Sequence, residues 1–172
     1  MAADKAKRRI ADPTAVAGRE VVITRVFDAP REMVWDAWTD PEQIVKWWGP
    51  RGFTLTIDEM DVRPGGVWKS TMHGPDGTEY LNDCVFTEVI KPFRIIYTLI
   101  PGRKHDRAAL ERARVVISWV FEAQGKKTKI ILRMLFRTPE ALDQFAREYK
   151  VVEGGNETLD RLGEHLVREV QG

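Results

Sequence analysis

The polar side chains that could carry chemistry are few and scattered. His73, His105 and His165 lie in separate stretches, with no HxxxH, HxH or HExxH spacing. The single cysteine, Cys84, is followed by Val85 and Phe86 and reads as a buried thiol, so a structural zinc site lacks ligands. No GxSxG, GxGxxG or P-loop pattern occurs. Asp58, Glu59 and Asp61 beside Arg63 could supply a general base at a pocket mouth, or form a solvated strand face with local ion pairs. His73 and Glu79 flank residues 74–77 and read as a surface pair before an acid–base couple. Asn82 and Ser118 are mid-strand polar residues; facing inward, each needs a partner or a ligand. An enzyme would require a buried titratable group with a shifted pKa, and Arg133, Glu88, Asp83 and His73 are the positions to inspect. No catalytic residue, metal ligand or cofactor is assigned.

Apolar binding chemistry is better represented. Five of the six tryptophans, Trp35, Trp38, Trp47, Trp48 and Trp68, fall in one stretch. Indole is large and flat, with one N–H donor, so it stabilises a core or lines a cavity. The cavity candidates are Trp38, Trp47, Trp48, Phe53, Trp68, Met72, Tyr80, Phe86, Tyr97, Trp119, Phe136 and Phe145. Each alone reads as core packing. Jointly they suit a cavity for a hydrophobic, aromatic small molecule.

These residues must be positioned by regular elements. Glu20–Phe27 is β-branched and reads as a strand. A helix from Arg31 carries Val34, Trp35, Ala37 and Trp38 on one face. Asp40-Pro41 starts a second short helix, through about Trp47, which Gly49-Pro50-Arg51-Gly52 breaks. Phe53–Val62 changes phase near Asp58-Glu59, where a bulge would keep both apolar sets inward. Val67–His73, Thr78–Ile90 and Phe93–Ile100 follow as strands. Val115–Glu122 and Lys129–Phe136 form a hairpin whose odd and even apolar sets face one core. From Thr138-Pro139 a helical apolar spacing runs to Leu166, with a gap at Gly154-Gly155-Asn156. Those glycines either break the helix or leave room on its inner face for a sheet or a cavity.

The fold class is α+β: an antiparallel sheet of six to seven strands around one long C-terminal helix, with two short helices at one end. The 172 residues read as residues 1–18, a flexible arm, and residues 19–170, a single domain. Residues 101–114 read as an exposed charged loop. A net charge of +1 supplies no field for nucleic acid or anionic membrane. With one cysteine, no apolar run of membrane length and no secretory h-region, the expected location is the cytoplasm.

The stretches ITRVFDAPREMVWDAWTDPEQIVKWWGPRGF, EMDVRPGGVWKSTMHGPDGTEY and ETLDRLGEHL occur in the same order as in a known family. Across residues 20–168 the chain resembles the START-like (SRPBCC) superfamily, and more narrowly the homologues of the activator of the heat-shock-protein-ninety ATPase. The resemblance implies a helix-grip fold with a cavity between sheet and C-terminal helix. Such members commonly carry an aromatic after the Glu-Gly pair of the last helix; here Asn156 follows Gly155, putting a small polar group in the expected lining. Non-catalytic binding of a small hydrophobic ligand is the first functional expectation. The alternatives are a chaperone-cofactor or stress-response role with a chaperone or other protein partner, and a cyclase or hydrolase using a pocket acid or base. A monomer or a homodimer fits either of the first two.

Overall fold

A computed structural model describes residues 14–100 and 114–171. His105 and nearly all of the charged loop lie outside the described residues, as do residues 1–13. The strands are β1 (Thr14–Ala17), β2 (Glu20–Phe27), β3 (Thr54–Met60), β4 (Val67–His73), β5 (Glu79–Leu81), β6 (Cys84–Ile90), β7 (Arg94–Leu99), β8 (Val116–Gln124) and β9 (Lys127–Leu135). The helices are α1 (Arg31–Thr39), α2 (Pro41–Ile44), α3 (Pro139–Tyr149) and α4 (Val151–Gln171). All strand pairs are antiparallel, in the order β1-β2-β9-β8-β7-β6-β4-β3, with β5 paired to β4. The helices pack on one face of this sheet, the expected α+β helix grip.

Strand periodicity explains which face is covered. On β8, Ile117, Trp119 and Phe121 are buried; on β9, Ile130, Leu132 and Met134 stand opposite them in register. The expected bulge is present, with the β3–β4 register shifting between Ile57 and Glu59. A second shift, between Phe86 and Glu88 on β6, moves the core-facing side from the even positions Cys84 and Phe86 to Val89.

Four boundaries differ from the sequence expectation. Thr14–Ala17, inside the stretch assigned to the arm, pairs with β2 as an edge strand; its four residues are too short a pattern to stand out beside the charged segment before it. The expected strand Thr78–Ile90 divides at Asn82-Asp83 into β5 and β6, so the described residues hold nine strands. The short helix after Asp40 closes at Ile44, and a turn carries the chain through Trp47. The C-terminal helical run divides at Lys150, in the left-handed conformation, and not at the glycines.

Gly154 and Gly155 lie inside α4. A β-carbon on Gly155 would stand 2.7 Å from Ile23 Cδ1 and 3.2 Å from Met134 Cε. Of the two sequence readings, close approach of helix to sheet is the one observed. The neighbours are the mobile ends of side chains, so one methyl can be accommodated, and alanine gains helix propensity of up to about 1 kcal/mol. Gly155→Ala is therefore expected to change stability by less than about 1 kcal/mol, whereas Gly155→Leu is expected to cost about 1–3 kcal/mol by overpacking. Urea unfolding of both variants measures the difference.

Candidate functional site

The site grows from α1. Val34, Trp35, Ala37 and Trp38 are its buried residues, and residues three apart share a helical face. The helix ends at Asp40, whose carboxylate accepts from the Glu42 N–H at 2.9 Å, while Pro41 takes the first helical position of α2. The chain turns back under α1 and brings Ile44, Trp47 and Trp48 beneath it. The Trp47 indole N–H donates to the Ala37 carbonyl at 3.0 Å, closing the corner.

Trp38 is the hub of the resulting cluster. Its ring centroid lies 5.7 Å from Trp48, 5.5 Å from Trp68, 6.1 Å from Phe86, and 5.9 Å from both Tyr97 and Trp119. Trp48 lies 4.9 Å from Trp68 and 5.7 Å from Trp119, and Trp47 stands 5.5 Å from Trp48. Most of these pairs are edge-on, the geometry the ring quadrupole favours, each worth about 0.5–1.5 kcal/mol beyond area burial. The cluster draws on α1, the turn after α2, β4, β6, β7 and β8. Trp48, at 8% exposure, forms its rim. Trp35 packs apart from it, on Phe121 at 5.2 Å.

Hydrogen bonding divides the indoles. Trp119 donates to the Tyr97 hydroxyl at 3.2 Å. The indole N–H groups of Trp38 and Trp68 are fully buried and meet no protein acceptor. A buried unpaired donor costs about 1–3 kcal/mol. Burial pushes the Tyr97 phenol well above its ordinary pKa, so it stays protonated. Burial likewise raises the Cys84 thiol, consistent with an inert, packed cysteine. Beside Trp68 and Cys84, Ser70 and Asn82 satisfy each other: Asn82 Nδ2 donates to Ser70 Oγ at 3.0 Å, and Ser70 donates to the Asn82 carbonyl at 3.1 Å.

Of the residues expected to line a cavity, Trp38, Trp47, Trp48, Trp68, Phe86, Tyr97 and Trp119 are thus brought together. Phe53 and Tyr80 form a separate half-exposed pair at 5.7 Å, near Met72. Phe136, which is buried, and Phe145 on α3 form a further pair at 5.3 Å. Asn156 points at the β1–β2 edge: its amide donates to the Val152 carbonyl at 2.9 Å and to Thr14 at 3.3 Å, and it accepts from Arg25 at 3.0 Å. The polar positions raised as acid–base candidates are mostly surface pairs, Arg94 with Glu88, Arg133 with Glu20, and His73 with Thr56 and Glu79. Asp83 is the buried one, with Oδ1 unpartnered. Arg63 pairs with Asp61 at 2.7 Å in the open, and Ser118 lies on the outer side of β8. Among the described residues, no group of three His, Cys, Asp or Glu side chains could hold a metal ion.

Sequence reasoning passed over the residue that fixes this corner. Arg161 on α4 sends Nη1 to the carbonyls of Trp48, Gly49, Pro50 and Phe53 at 3.0–3.2 Å, and Nη2 to that of Lys46 at 3.4 Å. Burial pulls its pKa below the ordinary value, but a guanidinium remains charged. Gly49, at φ +99°, supplies the backbone conformation the turn needs. Arg51 crosses back to Glu164 at 2.6 and 3.3 Å in an exposed pair that holds the Glu164 carboxyl below its usual range. One turn on, the buried His165 Nε2 meets Gln43 Oε1 at 3.0 Å, tying α4 to α2. The sequence signal for both is helical: Arg161 and His165 sit four apart, one position from Leu162 and Leu166. On another part of the molecule a groove of about 380 Å³ runs between Arg31, Phe93, Arg94 and the end of β8, with the Arg31 guanidinium 4.5 Å from the Phe93 ring centroid.

An antiparallel sheet gripped by a C-terminal helix, with an aromatic corner closed by two short helices, defines a START-like domain. The profile of the family described as "Activator of Hsp90 ATPase homolog 1-like protein" matches residues 28–167, and the chain belongs to this family. No curated protein matches the sequence. A solution structure of an Arthrobacter aurescens protein is similar at 23% identity and TM-score 0.80, covering 90% of this chain and 91% of that one. A Staphylococcus epidermidis protein matches at 24% identity and TM-score 0.76, over 92% of this chain and 95% of its own. A Mycobacterium smegmatis protein follows at 24% identity and TM-score 0.74, over 88% and 96%. At such identities the likeness shows the fold. No helix among the described residues is long and apolar enough to cross a membrane.

Two outcomes follow from the α4 contacts. Arg161→Ala leaves the carbonyls of the 46–53 turn without their donor, and urea unfolding is expected to show a loss of about 1–3 kcal/mol. Arg161→Lys is expected to recover little of it, because an ammonium cannot span the same fork of acceptors. His165 is the pH-sensitive contact. Burial lowers its pKa below 6.5, with Glu169 opposing and Arg168 and Lys46 assisting. The unfolded chain therefore binds the extra proton first as pH falls through 6.5. Its contribution is full above that value and declines below it. His165→Gln is expected to flatten the pH dependence of the unfolding midpoint in that window; an unchanged slope would contradict the assignment.

Proposed function

We propose that the protein binds a small hydrophobic molecule in the aromatic corner around Trp38, between the sheet and the helices, without chemical turnover. The observation that supports this is the pair of fully buried indole N–H groups, on Trp38 and Trp68, that meet no protein acceptor inside a cluster of rings. Phenylalanine at either position would pack without leaving a donor unpaired. An indole there is useful if something enters that can accept from it. The rings fill the corner against one another, so binding proceeds by displacement at the rim. Trp48 is the ring to move, since it is the most exposed of the set and sits next to Gly49. A protein-partner role would draw instead on the exposed apolar side chains Val16, Val26, Ile90, Phe93, Val167 and Val170. These are spread over β1, β2, the β6–β7 corner and the end of α4. Scattered apolar residues of this kind are ordinary surface.

Titration of intrinsic tryptophan fluorescence with fatty acids, flavonoids and polycyclic aromatics tests the reading. A saturable change with at least one class is expected, weakened in Trp48→Ala. A flat response across all three classes would overturn it.

A further inference from the structure

We infer that the ligand of this corner is an uncharged aromatic molecule carrying a hydrogen-bond acceptor, such as a ketone, quinone or ester, and is neither a carboxylate nor a hydrocarbon. The inference rests on the proposed ligand-binding role of the Trp38 cluster. It follows from counting donors, acceptors and charges there. Trp38 and Trp68 each offer one N–H, indole is a donor only, and their ring centroids are 5.5 Å apart. The acceptors bonded within the cluster are already used; the unpartnered acceptor of this region is Asp83 Oδ1, beside Cys84, and no hydrogen bond joins it to either indole. The Tyr97 oxygen takes the Trp119 N–H, the Ala37 carbonyl takes Trp47, and Ser70 and Asn82 are bonded to each other. Tyr97, kept protonated by its surroundings, adds a hydroxyl hydrogen for which no acceptor is present among these bonds. Trp38, Trp68 and Tyr97 thus hold three hydrogens against the one unpartnered oxygen of this region, Asp83 Oδ1, and a pure hydrocarbon would leave them unrelieved.

Charge excludes the other extreme. A buried carboxylate needs a cation. The Arg161 guanidinium is engaged by the carbonyls of the 46–53 turn, Arg25 is engaged by Asp160 and Asn156, and Arg31, whose Nε is buried and unbonded, stacks over Phe93 in the separate groove. The buried charged side chain on this part of the sheet is Asp83, next to Cys84, and its sign repels an anion. A neutral acceptor satisfies the donors without asking for a counter-ion.

Three ligands of one shape separate the cases: benzophenone, diphenylmethane and diphenylacetate. Calorimetry with the full chain is expected to give benzophenone at least about tenfold tighter than diphenylmethane, as one hydrogen bond to a previously unpaired donor allows. Diphenylacetate is expected to be the weakest. In isotope-labelled protein the indole N–H resonance of Trp38 or Trp68 is expected to move downfield with benzophenone and not with diphenylmethane. Trp68→Phe removes the N–H but keeps an aromatic side chain, assigns the missing resonance, and is expected to narrow the ratio of ketone to hydrocarbon affinity, whatever it does to both affinities together. Should that variant unfold, the indole shifts of the unaltered protein still decide. Equal binding of ketone and hydrocarbon with unmoved indole resonances overturns the inference and leaves the ligand-binding reading standing, as does tightest binding of diphenylacetate. Binding of none of the three overturns the inference together with the reading beneath it.

Discussion

One guanidinium holds the corner on which the rest of the structure depends. The backbone from Lys46 to Phe53 belongs to no strand and no helix of its own, and its carbonyls point together. Without a donor they would be solvated, and the segment would lift away. Arg161 supplies that donor from the middle of α4, so the longest helix and the tightest turn are one mechanical unit. With the turn held down, Trp47 and Trp48 are pressed under α1. Trp38 then meets ring edges from four strands at once. The aromatic cluster is a consequence of that clamp as much as of its own burial.

Another face of α4 does a different job. At Gly155 it approaches β2 and β9 closely, and on the same side Arg25 joins Asp160 at 2.5 Å and Asn156 at 3.0 Å. These contacts seat the helix on the β1–β2 edge and leave Asn156 occupied there. The helix is therefore fixed to the sheet along one face and to the aromatic corner along another. This suits the proposed binding mode, in which a rim ring moves while the helix stays in place. The contact through His165 and Gln43 gives the same junction a dependence on protons, because a buried neutral imidazole resists charging.

Much of this architecture was legible in the sequence, for reasons that are local. Alternation on β8 and β9, the Asp40-Pro41 cap, the Thr138-Pro139 start and the phase change at Asp58 are signals a few residues wide, and each is present in the structure. The clustering of indoles was legible as composition, whereas their packing on Phe86, Tyr97 and Trp119 joins separate strands. What the sequence hid was tertiary. A lone arginine in a helix carries no mark of the carbonyls it will meet more than a hundred residues away. The family resemblance implies Asn156 as a cavity residue, but its partners, Thr14 and Arg25, lie far off in the chain. The left-handed turn at Lys150 lacks the glycine that would have announced it, while the glycines four residues on serve packing. The unpaired state of two indole donors cannot be read from a sequence, since it depends on the absence of an acceptor nearby.

Whether the Trp38 corner opens to a ligand can be seen in a crystal structure of the protein soaked with an aromatic ketone. The Trp48 ring is expected to be displaced and the ketone oxygen to lie about 3 Å from the indole nitrogen of Trp38 or Trp68, the distance of an N–H···O bond. Rings left in their present packing, with the ketone bound instead in the groove beside Arg31 and Phe93 or nowhere, would contradict it.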